Sequence, residues 1–143
     1  MRPYKQTALV RFANQLAIFT MKIGLAPKFQ YILSVRGRKS GRTYSTPVFV
    51  IEENAKRWLV SPYGEVAWAV NARAAGKVTL TQGAHSEVFS LVELGATDSA
   101  PILKKYLALA PITQGYFKAR PDSPVEVFSA EAAAHPVFEL HKE

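Results

Sequence analysis

The 143-residue sequence predicts an α+β fold whose antiparallel sheet curls into a small barrel flanked by helices. Three observations lead there. Short runs rich in β-branched and aromatic residues recur at 31–35, 44–51, 57–60, 77–81 and 87–93. Turn signals join most of them directly, and the strand–helix–strand alternation of a parallel sheet is missing. Hydrophobic residues make up 48% and charged residues 20%, the balance of a chain that buries one core. The length fits a single domain spanning 1–143.

The elements follow in order. Leu9, Phe12, Ala13, Leu16, Phe19, Thr20 and Ile23 recur at helical spacing, with Arg11, Asn14, Gln15 and Lys22 on other faces. This predicts a basic amphipathic helix within residues 1–26, stopped near Gly24 and Pro27. It either packs on the core or docks on an anionic membrane. Tyr31–Val35, Tyr44–Ile51 and Arg57–Val60 read as an antiparallel meander, with a turn at Glu53-Asn54 and Pro47 marking an edge or a bulge. Ser61-Pro62-Tyr63-Gly64 is a loop. Glu65–Ala75 reads as a helix with an acid in its first turn and Gly76 as its stop. Lys77–Thr81 and Glu87–Glu93 form a hairpin around Gly83. Thr97 or Asp98 is expected to cap a helix running to about Leu109. Ser123-Pro124-Val125-Glu126 has the form of a capping box with proline at the first helical position, opening a last helix that ends before Pro136.

Charge is distributed unevenly. Residues 1–51 hold nine Lys or Arg and no acid, while the remainder holds nine bases and eleven acids. Such asymmetry points to a polyanionic ligand or to a solubilising surface. Its densest part is Arg36-Gly37-Arg38-Lys39-Ser40-Gly41-Arg42, four cations in seven residues. Glycines there let amide N–H groups converge on an anion, arginine forks match phosphate oxygens, Lys39 adds a compact charge and Ser40 a hydroxyl. The alternative is a solvated hairpin tip. The spacing fits neither a P-loop nor a dinucleotide fingerprint. Tyr31, Tyr44 and Phe49 lie near these cations, but Tyr44–Ile51 is too apolar for an open stacking platform, so no nucleic-acid partner is expected.

Gly37-Arg38-Lys39-Ser40-Gly41, followed by Thr46-Pro47 and a strand, resembles the deazaflavin-dependent nitroreductases, split β-barrel reductases that use coenzyme F420 and abound in actinobacteria. Trp68 and Asn71 supply the W-x-x-N of the next helix, followed by Ala74-Ala75-Gly76 and a strand at Val78. The resemblance covers about Tyr31 to Leu94, more loosely both ends. It implies a split β-barrel of the FMN-binding-like type over residues 30–143. The glycine-flanked turn would hold the cofactor's phosphate and acidic tail, and the segment before the W-x-x-N helix would approach the deazaflavin ring. Carried over by position, Arg36, Arg38, Lys39, Ser40, Gly41, Arg42, Tyr44 and Pro47 form the expected cofactor-binding turn and strand. Ser61, Tyr63, Trp68 and Asn71 stand near the ring or support its loop. Two positions depart from the family pattern. Tyr44 stands where many members carry arginine, so that phosphate contact is missing or falls to Arg42 or Tyr44. The loop before Trp68 is also short and lacks a lysine common there.

Other candidates are weaker. Trp68 and Asn71 share a helix face, which equally describes a core residue and a helix-to-loop hydrogen bond. His85, His135 and His141 lack metal-ligand spacing, so no metal is expected. No G-x-S-x-G is present, and Ser40 sits among cations with no nearby histidine. Tyr106, Tyr116 and Phe117 either cover an apolar substrate or belong to the core.

The implied activity is hydride transfer from reduced F420 to an electron-poor apolar acceptor: an enone, a quinone or a nitroaromatic. Tyr63 is a weak candidate proton donor, and FMN is the less favoured cofactor. The rival reading is a non-catalytic lipid- or cofactor-binding paralogue at the membrane surface, contacting anionic lipid through residues 1–26. The absence of cysteine and of any apolar run near the roughly 18–20 residues of a bilayer span points to the cytoplasm, with or without membrane association.

Overall fold

The computed structural model describes residues 28–143. The amphipathic helix expected within 1–26 lies outside them. Among the described residues, no helix is long and apolar enough to cross a membrane.

A closed antiparallel barrel of six strands forms the body. Strands β1 (Gln30–Arg36), β2 (Thr43–Glu53) and β3 (Lys56–Val60) make the expected meander. After helix α1 (Ala67–Ala75) come the hairpin strands β4 (Lys77–Gln82) and β5 (His85–Glu93). Helix α2 (Ala96–Leu109), a 3-10 segment at Pro111–Tyr116, the short helix α3 (Val125–Ala130) and a second 3-10 turn at Ala132–Ala134 follow. The chain ends in β6 (Val137–Lys142), giving the order β1-β2-β3-β6-β5-β4, with β4 back against β1.

Strand β6 is the main departure from expectation. Val137-Phe-Glu-Leu140 follows Pro136 and is too short to show a period of its own, yet it fills the gap between β3 and β5. Its pairing makes the barrel closed.

Side chains alternate between two cores. Leu33, Val35, Val48, Val50, Leu59, Phe89 and Phe138 point into the barrel, where α1 adds Ala69 and Ala72. Ile51, Trp58, Val60 and Val137 point outward and are covered by Leu103, Tyr106 and Leu107 of α2 and by Phe128 of α3. The β3–β6 wall is therefore buried on both faces at Trp58–Val60 and Val137-Phe138, where apolar residues follow one another without alternating.

Of the two readings of Pro47 the edge holds and the bulge does not, and several other local expectations are corrected. Pro47 pairs with Ile32 in regular register, without a bulge. The β2–β3 pairing begins only at Val50, so the far side of Pro47 has no strand partner and tolerates the missing N–H. Helix α1 begins at Ala67 rather than Glu65, because the Val66 amide donates to the Gly64 carbonyl (2.9 Å) and turns the chain there. Glu65 instead receives both Arg73 Nη1 (2.7 Å) and Nη2 (2.8 Å). Neither Thr97 nor Asp98 caps α2: Gly95 stands at that position without a side-chain cap, and Asp98 lies in the first turn. Ser123 does not cap α3 either, since Pro124 occupies the cap position and Ser123 Oγ accepts from Arg120 N at 2.9 Å.

Candidate functional site

The basic turn closes the β1–β2 hairpin as a compact backbone knot. Gly37 N donates to the Arg42 carbonyl (2.7 Å) and Gly41 N to the Gly37 carbonyl (3.1 Å). Both glycines are required by shape. Gly41 has φ +74°, and a Cβ on Gly37 would lie 2.6 Å from the Tyr44 ring, which covers it. Tyr44 is half exposed, and its hydroxyl lies 3.2 Å from Ser40 Oγ, which also accepts from Arg42 N at 3.1 Å. Tyr44 and Ser40 thus brace the turn from within.

Arg38 anchors the turn to α1. Its backbone N–H (3.1 Å) and its Nη1 (2.7 Å) both donate to Oδ1 of buried Asn71. Arg36, Lys39, Ser40, Gly41 and Arg42 are exposed around this anchor. Among the described residues, none of the four cations pairs with a carboxylate. Crowded like charges without counter-ions form a positive surface whose natural complement is an anion.

Helix α1 begins at Ala67, roughly 6 Å along the helix from Asn71 at 1.5 Å per residue, and Glu65-Val66 join it to the Ser61–Gly64 loop. Ser61 is fully buried, and its hydroxyl donates to the Gly64 carbonyl at 2.6 Å. The hydroxyl's hydrogen is thus committed within the loop. Trp68 is half-buried: it packs toward Phe138 of the barrel core (6.2 Å between centroids) and keeps part of its surface open. Pro47 sits within β2, half-buried.

Tyr63 projects from the loop, about one-third exposed, and meets Tyr116 edge-to-face at 4.7 Å. Tyr106 is buried in the outer core. Burial holds its phenol well above the ordinary range, and the nearby Tyr63 adds to that effect. Of the three C-terminal aromatics, Tyr106 and Phe117 belong to the core, and Tyr116 partners Tyr63.

One buried polar pair has no counterpart in the sequence reading. Glu131 and His135 lie against each other at 2.7 Å, and His135 also contacts the Pro62 carbonyl of the same loop. The E-x-x-x-H spacing was a visible signal, but the 73-residue separation from Pro62 hid the contact that matters.

Comparison with known proteins adds the decisive observation: residues 10–130 match the family model of the F420H(2)-dependent quinone reductases. The chain belongs to that family. Its cofactor is coenzyme F420, and the deazaflavin-reductase resemblance carried by the turn and the W-x-x-N helix is borne out. No curated protein matches this member of the quinone reductase family. Solved structures support the split-barrel fold. One described as a domain-swapped dimer is 17% identical, covers 94% of this chain and 100% of its own, and has a TM-score of 0.59. An F420-H2 dependent reductase, FDR-A, is 19% identical over 80% of this chain and 95% of its own, with a TM-score of 0.57. A FAD-binding protein from Mesorhizobium loti is 14% identical over 96% and 90%, with a TM-score of 0.52. The donor set of the basic turn fits the cofactor of this reductase family: exposed guanidinium and ammonium groups without counter-ions suit a phosphate-bearing, acidic molecule.

Proposed function

We propose that this chain is an F420H2-dependent reductase whose acceptors are electron-poor apolar molecules, quinones first, then enones and nitroaromatics. The observation that carries it is the pair of Arg38–Asn71 hydrogen bonds, which fix a cation-rich, acid-free turn to the middle of the helix that follows the Tyr63 loop. In this reading residues 30–143 form the reductase unit, and 1–26 are appended to it. Lys39 and Arg42 bind the anionic part of the cofactor, with Arg36 adding charge. Arg38 contributes its remaining guanidinium donors while anchoring the turn. Ser40, Gly41, Tyr44 and Pro47 shape this surface, and Asn71 and Ser61 hold turn and loop in place. Trp68 and Tyr63 flank the ring.

When bound, reduced F420 supplies a hydride, so no side chain needs to act as a nucleophile. The protein orients donor and acceptor and excludes water. A proton for the product comes from solvent or from the Tyr63 hydroxyl.

Titration with oxidised F420, followed by fluorescence with FMN alongside, tests the reading. Saturable binding of F420 in preference to FMN is expected, weakened about tenfold by Lys39→Ala through loss of one charge-assisted contact. Reduced F420 should then be consumed with menadione as acceptor. An absence of saturable binding well above micromolar protein would overturn the reductase reading.

A further inference from the structure

His135 stands between the chain neighbours of two tyrosines. Its Nδ1 lies 2.8 Å from the carbonyl of Pro62, the residue before Tyr63. Its ring stacks on Phe117, the residue after Tyr116, with centroids 3.9 Å apart and planes at 17°. Tyr63 and Tyr116 themselves meet edge-to-face. One buried imidazole, 1% exposed, thus bears on both supports of the tyrosine pair.

The bonding is directional. A carbonyl oxygen only accepts, so Nδ1 carries a hydrogen. Glu131 already accepts the Lys118 N–H at 3.1 Å on each carboxylate oxygen and the Ala119 N–H at 2.7 Å on Oε2. The 2.7 Å contact from His135 Nε2 to Glu131 Oε1 therefore contains a proton between them. A chain of bonds runs from the backbone of 118–119 through Glu131 and His135 to Pro62. An apolar residue would fill this space with less desolvation cost. What the imidazole adds is a fixed direction for the Pro62 carbonyl.

We propose that His135, oriented by Glu131, is a positioning residue that fixes the Ser61–Gly64 loop and sets Tyr63 against Tyr116 at the acceptor side of the site. This rests on the reading of that loop as the one beside the cofactor ring.

Two near-isosteric variants separate the bonds. In H135N the amide nitrogen stands near the place of Nδ1, retaining the Pro62 bond and releasing Glu131. In H135Q it reaches the place of Nε2, retaining Glu131 and releasing Pro62. Three readouts apply: hydrogen exchange of residues 63–66, F420 affinity by fluorescence, and kcat and KM with menadione. H135Q is expected to speed loop exchange about tenfold. It should leave F420 affinity within about twofold and lower menadione kcat/KM about tenfold through misplacement of the loop. H135N is expected to restore loop protection and most of kcat/KM. The proposal is overturned if the two variants behave alike, if both lose their cooperative thermal transition, or if activity falls with loop protection unchanged. Failure of the wild-type protein to bind F420 would overturn the reductase reading, while the exchange comparison would still decide whether His135 holds the loop.

Discussion

Asn71 shows how a single side chain sets the geometry of the basic turn. One oxygen, Oδ1, receives both the backbone N–H and the guanidinium of Arg38, and the residue is 5% exposed. Asn71→Leu keeps much of the volume and removes the acceptor, stranding an amide donor at the turn. Denaturant unfolding should show a loss of about 1–2 kcal/mol. F420 binding should weaken in parallel, because the cations lose their common anchor; unchanged affinity would detach the turn's position from its proposed role. The turn itself was legible in the sequence, since charge density and paired glycines survive as residue types. The direction in which polar groups are spent was not. Ser61 and Asn71 each read either as near the ring or as a support of its loop, with a helix-to-loop bond open for Asn71, and residue type alone did not name the partners: Gly64 for one and Arg38 for the other. Glu131 and His135 were invisible as a pair with Pro62, because only the fold brings them together.

At the scale of elements, hydrophobic patterning located five of the six strands, and turn chemistry located most of their joints. The two-residue β2–β3 loop is instructive. Asn54 (φ 53°) and Ala55 (φ 66°) both adopt the left-handed region that the tight hairpin demands, although only asparagine suits it. Ala55→Gly should relieve that strain and stabilise the protein by about 0.5–1 kcal/mol, after the greater flexibility of glycine in the unfolded chain is set against the gain. A lower midpoint in denaturant would show that the strain is absent. Helix starts were less legible than helix bodies, because bonds made outside the helices claimed residues expected in their first turns. Glu65 is the example. Its hydrogen bond to Arg73 holds its carboxyl below the ordinary range, with the Arg73 charge acting in the same direction and partial burial opposing. A lowered folded pKa means that the ion pair stabilises the protein above the ordinary carboxylate range and ceases to as pH falls through the lowered value. Both side chains are substantially exposed, so Glu65→Gln should cost only a few tenths of a kcal/mol, about 0.3, at pH 7. The difference from wild type should close in acid; a constant difference across pH would assign the effect to shape.

For the whole molecule, the feature with the widest consequence is the wall that both cores share. Strand β6 sends Phe138 into the barrel and Val137 outward beneath α2 and α3, and it is the strand the sequence showed least, being short and flanked by proline. The barrel core reaches the proposed cofactor site directly: Phe138 packs toward Trp68, one helical turn from Asn71. Among the described residues, the outer core includes none of α1. Leu103 of α2 is fully buried in that outer core. Truncation to alanine should cost about 3–5 kcal/mol at Phe138 and about 2–5 kcal/mol at Leu103, by lost burial and the cavity left behind. Their functional effects should nevertheless diverge. Measured well below the melting transition, Phe138→Ala should weaken F420 binding because α1 loses its footing. Leu103→Ala, at similar loss of stability, should leave F420 affinity within about twofold, since distant sites act independently. Equal loss of affinity in the two variants would mean that cofactor binding follows overall stability, and that α1 is not the link between the barrel and the basic turn.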